Sequence, residues 1–321
     1  MGEAGKINKK VFLLIESIGL WLKYFLFFPV FSLFPPPYPY LLCRYLSRLD
    51  CGYDSSRKKS IKKWMAELLD EVNPSRKELD LSVRKYFEVK FCDEIDIFIY
   101  LFGFSKRFIE SIRMEGEENL KEALKSRGGI LLSAHFGGGF WILPFLKNRG
   151  MMAHFFSADI EKPNYQPFRK ALYYYHRMRM WAVEKASGGR VLYKKEGKKG
   201  LVEALTEGKW VIILFDVPPF LVRENMEVPF LKRRAWFPKG IVSIARKTNS
   251  PLLPFFSFLD EGKRRRICFE KPFYVDDEGE CVERCVKLIE RRIIERPDHW
   301  HFWPIADQFF PRDGFDHFIN R

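Results

Sequence analysis

The 321-residue sequence predicts an α/β fold: a largely parallel central sheet flanked by helices, preceded by a helical hydrophobic N-terminal region. Three observations predict it. Residues 11–34 form one apolar run, residues 38–126 carry apolar positions at three-to-four spacing, and beyond residue 128 short apolar runs alternate with amphipathic stretches. Such alternation buries a parallel sheet between helical layers.

The chain divides into residues 1–37, 38–126 and 127–321: a membrane-associating segment, a helical lead-in and an α/β core. Residues 11–34, VFLLIESIGLWLKYFLFFPVFSLF, are long enough to cross a bilayer but contain Glu16, Lys23 and Pro29. Spanning and interfacial embedding are both open. Basic residues flank the segment on both sides, so charge does not orient it, and it runs into Pro35-Pro36-Pro37 without a signal-peptide cleavage pattern. In the second region Ile61, Trp64, Met65, Leu68 and Leu69 share a helical face. Asn73-Pro74-Ser75 ends that helix, and Ser75 with Glu78 offers a capping box for the next. In the third region the pattern predicts strands near 129–134, 151–157, 180–184, 210–215, 252–258 and 265–270. Helices are predicted near 140–148, 163–177, 197–207, 238–248 and 279–295.

The formal net charge of +14 predicts anionic partners, and 32 Phe beside Lys and Arg favour a lipid interface over nucleic acid. The basic runs Lys194-Lys195, Lys198-Lys199, Lys232 to Arg234 and Lys263 to Arg266 sit in separate loops without a nucleic-acid-binding pattern, so no nucleic acid is expected. Six cysteines without a CxxC pair fit a reducing compartment. The sequence lacks GxSxG, GxxxxGK[ST] and GxGxxG. His154, His176, His299, His301 and His317 make no recognisable ligand set, and no metal is expected.

The segment GGILLSAHFGGGFW, Gly128 to Trp141, concentrates the chemistry. A buried strand delivers His135 onto a turn of Gly137, Gly138 and Gly139 that opens a helix, where backbone amides favour negative charge. Ligand sites in open α/β sheets lie at the carboxyl ends of strands, a rule that also selects Asp216 after WVIILF. If the two strands are neighbours, an imidazole and a carboxylate meet at one rim. A cap or turn role for Asp216 is the competing reading.

With these residues in hand, the chain resembles the late acyltransferases of lipid A biosynthesis, within the lysophospholipid acyltransferase-like group. The resemblance runs through Arg57 to Tyr100, Ile130 to His135, GKWVIILFD at Gly208 to Asp216, Val228 to Phe256, and RPDHWHFW at Arg296 to Trp303. It implies a histidine that takes a proton from an acceptor hydroxyl as that hydroxyl attacks an acyl thioester, and it maps this base onto His135. The family carries Asp or Glu five positions later, where this chain has Phe140. Asp216 is the first candidate for a replacement acid, with Glu184 and Asp159 as others. The resemblance further implies a lipid or glycolipid acceptor, an acyl-carrier-protein or coenzyme A thioester as donor with no other cofactor, and the cytoplasmic face of a bacterial inner membrane. Arg169, Arg177 and Arg179 are candidates to hold a phosphate, Lys232 to Arg234 to dock an acidic carrier or lipid, and Trp300 with Trp303 to pack as a cap. A non-catalytic lipid- or membrane-binding protein on the same scaffold is the alternative.

Overall fold

The computed structural model describes residues 3–53, 55–69, 74–165, 169–261 and 264–310; Asn73, Lys263 and His317 lie outside them. The chain opens with helix α1 (Glu3–Leu22), a π-helical turn (Lys23–Phe27) and α2 (Phe28–Ser32). Helices α3 (Tyr38–Tyr53), α4 (Ser55–Leu68), α5 (Arg76–Phe102) and α6 (Ser105–Glu110) follow. Then come β1 (Arg113–Glu115), α7 (Glu117–Ala123), β2 (Gly129–Ser133), α8 (Ile142–Lys147), β3 (Ala153–Ser157), α9 (Lys170–Ser187) and β4 (Gly188–Tyr193). The remainder is α10 (Gly197–Thr206), β5 (Trp210–Leu214), β6 (Asn225–Phe230), β7 (Arg233–Pro238), α11 (Gly240–Lys247), β8 (Leu252–Leu259), β9 (Arg265–Phe269) and α12 (Glu278–Glu295).

Seven strands form one sheet in the order β1-β9-β8-β2-β5-β3-β4, parallel except where β9 runs back against β8. Strand β2 lies at its centre with all five residues buried, which is why its sequence reads as a continuous apolar run instead of an alternating one. Successive residues still serve different layers. Ile130, Leu132, Val211 and Ile213 pack under α10, α11 and α12, while Leu131, Ile212, Leu253 and Phe255 pack under α8 and α9. Both layers draw on residues before 127: Ile61, Met65 and Val83 enter the first, Tyr24, Tyr40 and Phe98 the second. The helical lead-in and the sheet therefore share their cores.

The predicted capping box forms. Ser75 Oγ accepts from the Glu78 amide at 3.3 Å, and Glu78 Oε2 accepts from the Ser75 amide at 2.7 Å. Helix α5 starts there and crosses behind both layers, so its C-terminal half is buried almost all round, including Asp93, Glu94 and Asp96.

Three expectations need correction. The strand predicted at 180–184 is helix. Tyr175, Ala182, Val183 and Ala186 are buried at helical spacing, and α9 runs on to Gly188, whose left-handed φ of 73° ends it. The strand β4 starts at that glycine, so the helix predicted at 163–177 is displaced toward the C-terminus. Strand β1, inside the region read as helical, pairs with β9. Strands β6 and β7 form a hairpin that the sequence pattern did not suggest, because its turn places two residues without turn chemistry, Leu231 and Lys232, at positive φ. Leu231 is nonetheless buried, and its amide donates to Glu290 Oε1 at 2.6 Å.

Leu13–Ser32 is long and apolar enough to cross a membrane by length and composition, and within it only Tyr24, Phe28 and Ser32 are buried. Both charges within it turn toward the protein body. Lys23 Nζ lies 2.6 Å from Glu94 Oε2, and Arg169 donates to Glu16 Oε1 at 2.9 Å. Tyr24 and Phe28 are buried with it, whereas Leu14, Ile15, Ile18, Leu22, Phe25 and Leu26 form an exposed stripe at helical spacing. All six cysteines are free and buried.

Candidate active site

Strands β2 and β5 are in register from Gly129 with Trp210 to Ser133 with Leu214, and the Phe215 amide donates to the Ser133 carbonyl at 2.7 Å. His135 and Asp216 each stand two residues beyond the last pair. The sheet register alone thus brings them to one rim. Asp216 Oδ1 lies 2.9 Å from His135 Nδ1 and accepts the His135 amide at 2.8 Å; Oδ2 accepts the Trp300 indole N–H at 2.9 Å. A carboxylate in that position only accepts, so Nδ1 carries the ring proton and Nε2 presents its lone pair. Among the described residues Nε2 has no protein partner. Asp216 is fully buried, whereas the His135 side chain is 35% exposed, with its ring 4.2 Å from that of Phe302.

The C-terminal segment His299 to Phe302 wraps this rim. The Gly137 amide donates to the His299 carbonyl at 2.8 Å, the His301 amide to the His135 carbonyl at 2.8 Å, and Phe136 bridges to Trp300. His301 Nε2 lies 2.9 Å from the Gly137 carbonyl. Gly137 has φ +57°, and a Cβ there would stand 1.9 Å from the Ser257 carbonyl oxygen. Gly138 packs against the Arg265 guanidinium, which a Cβ would approach to 2.2 Å. Of the three glycine amides, that of Gly137 is committed to His299; no acceptor among the described residues takes those of Gly138 and Gly139.

Beneath the turn lies a second polar cluster. Arg265 donates to Asp96 Oδ2 at 2.6 Å and to the Tyr40 hydroxyl at 3.2 Å; Tyr40 donates to Asp96 Oδ1 at 2.5 Å, and the Trp141 indole donates to Tyr40 at 3.1 Å.

Phe140, in the motif position where an acid is expected, is buried edge-on to Tyr100 and Trp141 and lines a cavity that His135 also borders. Leu143, Phe155, Val183, Ile212 and Phe255 supply apolar walls, and Asp93, Arg179 and His301 a polar corner. Asp93 is held down to about 2 against the opposing effect of its burial, by Arg179 at 3.5 Å and by His301.

Not every predicted residue reaches this place. Of the three arginines, Arg179 borders the cavity, while Arg169 is exposed and paired with Glu16, and Arg177 is exposed and bonded to the Tyr173 hydroxyl at 3.2 Å. Arg177 and Arg179, two residues apart on α9, point to different faces, and Arg169 precedes the helix as its N-cap. Glu184 accepts from the Val191 amide at 2.9 Å and Asp159 from the Lys195 amide at 3.2 Å, so neither meets His135. Arg233 pairs with Glu67, and Arg234 with Glu227 at 3.3 Å. Trp300 is more than a cap, since its indole holds the acid. Asp93, His301 and Phe302 went unrecognised in the sequence, although the last two lie in the RPDHWHFW segment.

A histidine and a carboxylate brought together by sheet register, beside an apolar cavity and two backbone amides without an acceptor among the described residues, fit the chemistry of acyl transfer. A family model described as bacterial lipid A biosynthesis acyltransferase matches residues 6–304, and the chain belongs to that family. It is an acyltransferase, with an acyl donor and a lipid acceptor implied. No curated protein matches the chain. Among solved structures, the crystal structure of the 1-acyl-sn-glycerophosphate (LPA) acyltransferase PlsC from Thermotoga maritima is 17% identical, with 80% of this chain and 96% of that one aligned at a TM-score of 0.36.

Proposed function

We propose that the protein transfers a fatty acyl group from a thioester, of acyl carrier protein or coenzyme A, to a hydroxyl or amine of a membrane lipid or glycolipid, with His135 as general base. The observation that carries this reading is the 2.9 Å contact of His135 Nδ1 with Asp216 while Nε2 faces outward. Asp216 fixes the tautomer and stabilises the imidazolium that forms; it replaces an acid at position 140. Nε2 takes the proton of the acceptor as its oxygen or nitrogen bonds to the acyl carbon. The amides of Gly138 and Gly139 receive the oxyanion, with Gly137 braced by His299. The C–S bond then breaks, and the imidazolium returns its proton to the leaving thiolate. The apolar cavity at Phe140 takes the acyl chain, and Arg179 is positioned for an anionic group of a substrate.

The exposed stripe of α1 supports membrane embedding, because both charges of the segment are neutralised by the protein body and the outward side is apolar. Location on the cytoplasmic face of a bacterial inner membrane is part of the same reading. The test is incubation of purified protein with labelled acyl thioesters and a membrane lipid extract, with mass identification of the acylated lipid. His135→Ala is expected to lower transfer by roughly 10²–10⁴-fold with folding retained. Transfer equal to wild type would overturn the base assignment.

A further inference from the structure

The turn that follows Asp216 leaves the sheet and exposes two large apolar side chains, Phe220 at 53% and Leu221 at 45%. Exposure of this kind on a loose loop would mean little, but this loop is braced. Asn225 Nδ2 donates to the Pro219 and Val222 carbonyls at 3.0 and 3.1 Å, and Lys194 Nζ donates to the Leu221 carbonyl at 2.6 Å. Pro218 and Pro219 stiffen its entry. The tip is therefore held outward by the fold; Lys194, bonded to it, and Arg223, two residues beyond Leu221, are exposed, and the neighbouring Glu224 is paired with Lys198.

Its place in the fold matches that of α1. Strand β5 is parallel to β2, so the loop emerges at the same edge as His135. Helix α9 returns from the carboxyl end of β3 to the start of β4, which puts its first turns at that edge too. There Arg169 holds Glu16, and Tyr174 packs on Trp21 at 5.8 Å. The part of the apolar N-terminal helix around Glu16 to Trp21 and the Phe220 tip thus both lie toward the carboxyl-end edge of the sheet, the edge that carries His135.

We infer that the Phe220-Leu221 tip is a second membrane contact, which inserts between the headgroups of an anionic bilayer while its flanking cations bind lipid phosphates. An apolar tip flanked by an exposed Lys and Arg has the chemistry of such an interface. Together with α1 it makes a two-point attachment that fixes the rotation of the protein about the membrane normal and turns His135 toward the lipid. This inference rests on the membrane reading above.

The experiment uses the full chain reconstituted with vesicles of mixed phosphatidylcholine and phosphatidylglycerol containing a nitroxide-labelled lipid. Single variants Leu221→Cys, Ile18→Cys and Glu207→Cys are labelled with an environment-sensitive fluorophore, Glu207 lying before β5 at the opposite edge. Quenching at positions 221 and 18 but not 207 is expected. Vesicle affinity of the Phe220→Ser, Leu221→Ser double variant should fall about tenfold, and Arg223→Gln should weaken the dependence on phosphatidylglycerol. Quenching at 18 with position 221 as dark to the quencher as 207 would overturn the second contact and leave the membrane reading standing. Absence of quenching at both 18 and 221 would overturn the membrane reading and the second contact with it.

Discussion

Two buried carboxylate clusters flank the glycine turn, one on the His135 side and one beneath it. Each joins an Asp, an indole and a basic side chain. On the first side Asp216 holds His135 and receives Trp300; on the second Asp96 holds Arg265 and Tyr40, with Trp141 behind. Asp216 and Asp96 are equally buried, but the His135 side chain is 35% exposed and that of Arg265 only 2%. A cluster with one nitrogen facing out can move a proton. A cluster sealed from solvent can only hold the turn in place, and a buried ion pair is costly to break although it adds little when whole.

That contrast separates activity from stability and can be broken experimentally. Asp216→Asn should lower kcat by roughly 10³–10⁴-fold, because the amide can hold the wrong ring tautomer, while urea unfolding falls by only about 1–3 kcal/mol as one buried donor loses its acceptor. Arg265→Ala should do the reverse at first order, lowering unfolding stability by about 3–5 kcal/mol by leaving Asp96 buried without its counter-charge; a fully stable variant would count against the brace. Trp300→Phe removes one donor to the Asp216 carboxylate and should cost about 1.5–3 kcal/mol in transition-state stabilisation, fold stability or both, read by comparing kcat with the urea midpoint.

The smallest effect concerns pH. His299, whose carbonyl braces Gly137, is pushed down to about 4 by burial, against the pull of Asp298. Its ordinary value is near 6.5, so the folded state favours the neutral ring. The resulting stabilisation is complete above about pH 6.5 and is lost as pH falls toward 4. His176, also lowered to about 4 mainly by burial, acts over the same window. Thermal scans of His299→Gln from pH 7 to 4 should therefore show a shallower slope than wild type, but not a flat one.

Much of the site was legible because its cause is local. A buried strand followed by His-Phe-Gly-Gly-Gly, and another followed by Asp-Val-Pro-Pro, announce two strand ends in any order of strands. Pairing His135 with Asp216 required only that the strands be neighbours, which they are. Arg169 and Arg177 were not separable from Arg179, since one helix and its N-cap carry all three and only the helix's packing decides which side faces the cavity. The 180–184 region misled for a related reason: a short apolar run in a half-buried helix reads like a strand.

The sequence by itself determined the fold class, the capping box at Ser75, the carriage of His135 to a strand end and the absence of an acid at position 140. These follow from periodicity, turn chemistry and residue identity, which act between near neighbours along the chain. Only the tertiary structure decided that Asp216 meets His135, that Trp300 and His299 from the far end of the chain clamp the pair and the turn, and that Arg265 lies under Gly138. Such contacts join residues separated by 80 or more positions, and their partners are selected by strand order and by what the shared cores exclude, neither of which leaves a periodic mark on the sequence.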